Sequence, residues 1–120
     1  MTNYYVYAYC DPRFECIKNK SLLQYIPFYI GMGKNERYLA HLKRSHNNCL
    51  NMYITFLRNE NIKPIVLKLK ENMTVNNAKE YESLLIDYFG VLYDDSGFLL
   101  NKFVPSKCGY YPGTKNFNSK

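Results

Sequence analysis

Residues 3–10 read Asn-Tyr-Tyr-Val-Tyr-Ala-Tyr-Cys, and no other stretch limits the possible folds as strongly. Aromatic and β-branched types alternate there with period two, which places Tyr5, Tyr7 and Tyr9 on one face and Tyr4, Val6 and Ala8 on the other. The segment therefore predicts a strand.

Asp11-Pro12 is expected to break this strand, and residues 11–25, with mixed charge and small apolar groups, to form a solvent-exposed excursion before a returning strand at 26–31. Gly31-Met32-Gly33 closes that strand. Asn35 can then cap a helix whose apolar positions Tyr38, Leu39 and Leu42 recur at helical spacing, while Arg37, His41 and Arg44 line one side. A second helix over 50–59 carries the stripe Leu50, Tyr53, Ile54 and Leu57, which reads as packing.

Pro64 opens a strand over 65–69. Thr74 offers its hydroxyl to a helix that runs to Phe89 and stops at Gly90. Ala78, Tyr81, Leu85 and Tyr88 form the expected apolar stripe of that helix, with Glu82 on its flank beside Ile86 and Phe89. A carboxylate among apolar groups costs free energy unless something compensates it. Residues 98–104, including Asn101, read as a last strand, and 105–120 as an irregular basic tail. The expected class is α+β, a three-stranded mainly antiparallel sheet flanked by helices, with one domain over 1–104.

The formal charge of +6 favours polyanionic partners through long-range attraction and counterion release. Solubility alone would also account for it. The four cysteines form no C-x-x-C pair and have no tetrahedral-site spacing, so ordinary thiols in a reducing, intracellular compartment are expected rather than zinc. No apolar run approaches the roughly 20 residues that span a bilayer.

Taken in order, these motifs resemble the GIY-YIG nuclease superfamily. Tyr5-Val6-Tyr7 stands where that family has Gly-Ile-Tyr, and Tyr29-Ile30-Gly31 is a literal Tyr-Ile-Gly. Arg37 and His41 follow at family-like spacing, Glu82 precedes a Leu-Leu-Ile run, and Asn101 matches the late asparagine. The likeness spans residues 3–104 and is nearest the branch of the LEM-domain nuclease with phage and bacterial relatives. Two features depart from it, Tyr5 in place of glycine and a long excursion at 11–25.

The resemblance implies a metal-dependent endonuclease that hydrolyses phosphodiester bonds, DNA before RNA, with low sequence specificity or a preference for particular DNA structures. Glu82 would hold one Mg2+ or Mn2+ ion, since a hard carboxylate oxygen suits a hard cation that keeps its waters. Arg37 would set its guanidinium against the nonbridging phosphate oxygens. Tyr7 would serve as general base if positive charge favours its phenolate, Tyr29 would orient water, and His41 would hydrogen-bond or shuttle a proton. Gly31, Lys34, Lys43 and Arg44 are the expected substrate contacts, and Asn101 a structural tie beside the site. A monomer would nick one strand and a homodimer cut both. A noncatalytic nucleic-acid or partner-binding module that keeps the fold is the alternative.

Overall fold

The computed structural model describes residues 2–43 and 47–101. Three strands, β1 (Tyr4–Glu15), β2 (Tyr25–Gly33) and β3 (Ile65–Met73), form an antiparallel sheet in the order β2-β1-β3. A 3-10 turn (Arg37–Leu39) runs into the short helix α1 (Ala40–Lys43), and α2 (Asn48–Asn59) follows. Helix α3 (Val75–Phe89) completes the main elements, and the class is α+β as the sequence implies.

The alternation of β1 decides the layers. Val6, Ala8 and Cys10 face α3, where they are buried with Ile30, Ala78, Leu85 and Phe89. Tyr5, Tyr7 and Tyr9 point the other way and pack with Phe28 against Leu50, Tyr53, Ile54 and Leu57 of α2. The α2 stripe is thus the expected one. On α3 the stripe is rotated, because Phe89 is buried and Tyr88 stays 39% exposed.

β1 does not end at Asp11-Pro12. Its pairing with β3 stops at Cys10, opposite Ile65, and beyond that point β1 pairs with β2 alone. Proline lacks an N–H, which costs little where only one neighbour remains to be paired. The expected excursion shrinks to residues 16–24 and is not wholly exposed. Cys16 and Leu23 are core residues, and the Cys16 N–H donates to the Gln24 carbonyl at 2.9 Å.

Register shifts matter on β2. Tyr9 opposes Tyr29 while Cys10 opposes Pro27, so Phe28 is the extra residue of a bulge. A bulge turns two successive side chains toward one side, and both Phe28 and Tyr29 join the tyrosine face.

Local expectations fare unevenly elsewhere. Thr74 caps α3 by accepting from the Asn77 N–H at 3.1 Å, and Gly90, with φ of 81°, ends it. Asn47 caps α2 through the Leu50 N–H at 3.0 Å. Asn35 caps nothing: its φ of 56° is left-handed, and the turn begins after Glu36 without a side-chain cap. β3 runs on to Met73, beyond the expected end at 69.

The expected last strand is absent among the described residues. Leu99 makes a single parallel bridge to Val91, and the Leu100 N–H donates to the Phe28 carbonyl at 2.8 Å along the outer edge of β2. Residues 102–104 and the tail at 105–120 lie outside the described residues. Cys10 and Cys16 are free buried thiols, with Cys10 pushed up to about 12 by burial, whereas Cys49 is disulfide-bonded, against the expectation of ordinary thiols. Cys108 lies outside the described residues. Among those residues no helix is long and apolar enough to cross a membrane.

Candidate active site

Tyr7 lies opposite Gly31 across the β1–β2 ladder, and the pairing has a steric reason. A Cβ built on Gly31 would stand 2.5 Å from Cζ and Oη of Tyr7, closer than any side chain can approach. The glycine of Tyr-Ile-Gly therefore opens the space in which the Tyr7 phenol lies. Gly33 does the same for Arg37, whose Cβ and Cγ would stand 2.8 Å from an added Cβ. This gives Gly31 a role in shaping the site from within the sheet.

Around the Tyr7 phenol the sequence-identified residues converge. Tyr7 and Tyr29 have ring centroids 6.2 Å apart, and the His41 ring meets Tyr29 edge-on at 4.6 Å. Tyr29 is the hub. Its hydroxyl is pushed above the ordinary phenol range by burial and then by the Glu82 carboxylate, while Arg37 and a side-chain hydrogen bond with Tyr7 pull it back. Glu82 from α3 and Arg37 from the 3-10 turn thus act on one edge-strand tyrosine.

Tyr7 is almost wholly buried, and burial raises its pKa far above the ordinary value, with Tyr29 and Tyr9 adding to the rise. Arg37 opposes this without offsetting it. With these protein groups alone Tyr7 remains a phenol at neutral pH. His41 is shifted down, first by burial and then by Arg37, and is neutral there. Its Nδ1 is buried with no hydrogen-bond partner among the described residues.

Glu82 is half-buried, and its pKa is raised by burial alone. Among the described residues it has no hydrogen bond or ion pair. An ionised carboxylate held so, away from water and without a cation, is costly. No three metal-ligating side chains cluster among the described residues. A single hard oxygen donor is chemically compatible with a divalent ion that retains most of its water shell, the role the resemblance implies for Glu82.

Asn101 holds the framework. Its amide donates to the Ile30 carbonyl and accepts from the Ile30 N–H at 3.1 Å, closing the outer edge of β2 beside Gly31. Lys34 is exposed with its ammonium 5.7 Å from the Tyr4 ring, and Lys43 is exposed at the end of α1. Arg44 lies outside the described residues.

Two groups escape sequence reasoning. Tyr5 and Tyr9, given no role by the sequence motifs, use their hydroxyls: Tyr5 donates to the Asn35 carbonyl and Tyr9 to the Tyr38 carbonyl, each at 2.8 Å. Their shared parity with Tyr7 was the available signal. The second group is an ion pair with a buried carboxylate, in which the partly exposed Arg13 donates twice to Asp11, from Nε at 3.0 Å and from a terminal nitrogen at 2.7 Å. Tyr53 of α2 adds a hydrogen bond from its hydroxyl to the same carboxylate. Nothing local marks it. No protein-family model, curated protein or solved structure matches this chain.

Proposed function

We propose that this protein is a divalent-metal-dependent nuclease of the GIY-YIG kind, acting on phosphodiester bonds in DNA in preference to RNA. One observation carries the reading. Glu82, half-buried and unpaired among the described residues, acts electrostatically on the same tyrosine as Arg37, and that tyrosine adjoins Tyr7 and His41. A carboxylate able to take a cation and a guanidinium close enough to influence the same hydroxyl suit a transferring phosphoryl group.

Glu82 would hold the cation, which when bound supplies Lewis-acid stabilisation to the phosphoryl and leaving oxygens. The remaining chemistry belongs to the side chains. Arg37 offers a permanent charge in a planar fork to the nonbridging oxygens. The Tyr7 and Tyr29 hydroxyls fix a water by hydrogen bonds. His41, neutral near pH 7, can accept a proton at Nδ1, the atom left without a partner.

The test is conversion of supercoiled plasmid with magnesium or manganese, run beside an RNA substrate and the variants Arg37→Ala and Glu82→Ala. Nicked or linear product from the wild type, lost in both folded variants by at least about a hundredfold, is the expected outcome. A folded wild type that cuts neither DNA nor RNA removes the hydrolase reading.

A further inference from the structure

The turn that presents Arg37 is too short to hold itself in place and depends on contacts from other elements, among them the Arg58 side chain, which donates to the Leu42 carbonyl at 2.9 Å. It consists of three 3-10 residues and four helical ones, carries no side-chain cap, and buries none of its residues. Helical segments this short do not sustain themselves. Yet a guanidinium that stabilises a transition state must be held to within a fraction of an ångström.

Contacts from the sheet converge instead on Tyr38, the next residue. Its N–H donates to the Tyr5 hydroxyl at 3.0 Å, and its carbonyl accepts from Tyr9 at 2.8 Å. Its ring meets Tyr5 edge-on with centroids 5.7 Å apart. Lys68 completes the set: its ammonium lies 4.6 Å from the Tyr38 ring centroid and 4.6 Å from that of Tyr5. The register explains its position. Lys68 pairs with Tyr7 on β3, which directs it to the tyrosine face.

An edge-strand lysine is ordinarily a solvated charge, and Lys70 two residues on is one, exposed on the α3 side near Tyr81. Lys68 differs. Its side chain is 29% exposed and its acidic partner among the described residues, Glu71, is at 3.7 Å, so two aromatic faces supply much of its environment.

We infer that Lys68, together with Tyr5 and Tyr9, is a positioning residue that clamps Tyr38 and thereby fixes the approach of Arg37. The kinetic consequence rests on the nuclease reading above; the clamp itself does not. Lys68→Met keeps the stem and removes the charge, Lys68→Arg keeps a cation able to stack, and Lys70→Met makes the same charge change without touching Tyr38.

The experiment measures amide hydrogen exchange at Tyr38 together with kcat and KM on plasmid for the wild type and these three variants. In Lys68→Met, Tyr38 exchanges faster and kcat falls about tenfold or more at unchanged KM. Lys68→Arg recovers most of both, and Lys70→Met changes neither. Unaltered exchange in Lys68→Met overturns the inference. So does a rise in KM with a weaker salt dependence at intact kcat, which would make Lys68 a phosphate contact. If the wild type proves inactive, the nuclease reading fails and the exchange result alone decides the clamp.

Discussion

Glu82 is a carboxylate half-buried in the fold with no hydrogen bond or ion pair among the described residues. Burial raises its pKa, so the folded state holds the proton more tightly than the unfolded chain does. Stability contributed through this group is therefore greatest in acid and declines as pH rises through the raised value. Glu82→Gln removes the charge at similar volume. It is expected to raise Tm at pH 7, with the gain vanishing near pH 4, while added manganese raises the Tm of the wild type only. Thermal scans at the two pH values with and without metal check this, and a lower Tm for Glu82→Gln at pH 7 would show that the carboxylate is satisfied in the fold.

Among the elements, β2 carries the most information. Its bulge adds Phe28 to the tyrosine face beside Tyr29, Asn101 closes its outer edge, and its two glycines admit the Tyr7 phenol and the Arg37 stem. Gly31→Ala places a methyl group into the Tyr7 ring, so the ring or the ladder must shift. The expected result is a loss of about 1–3 kcal/mol from overpacking and a fall in cleavage larger than the loss of folded protein explains. Denaturant titration beside the plasmid assay separates the two, and full activity in Gly31→Ala would mean that Tyr7 need not occupy that space.

At the scale of the whole molecule, the Asp11–Arg13–Tyr53 group ties the far end of β1 to α2. Burial alone would raise the Asp11 pKa, but hydrogen bonds from Arg13 and Tyr53 and the Arg13 charge hold it below the ordinary carboxylate value. Its contribution is complete above that ordinary value and is lost as pH falls through the lowered one. Arg13→Met leaves a carboxylate that is only 1% exposed without its cation. A destabilisation of about 3–5 kcal/mol at pH 7 is expected, and a smaller one at pH 4, where protonation relieves the stranded charge. Urea unfolding at both pH values measures it; equal losses would assign the effect to packing of Arg13 over Phe14 and Phe56.

How much of this was written locally can be judged residue by residue. The chain itself determined the alternation of β1, the apolar stripe of α2 and the bounds of α3 between Thr74 and Gly90, because each depends on side-chain period and on hydrogen bonds within a few residues. Through the order of its motifs it also marked Tyr7, Tyr29, Arg37, His41 and Glu82 as candidates, and the fold brings Tyr7, Tyr29 and His41 into ring contact. Only tertiary structure decided that β1 passes through Pro12, that residues 98–101 form one bridge rather than a strand, and that Lys68 lies against Tyr38. Each of these turns on a partner outside the segment itself: a neighbouring strand that stops, the Val91 and Phe28 backbones that Leu99 and Leu100 meet, a ring presented from another element. Periodicity records which faces are apolar; it does not record what they meet.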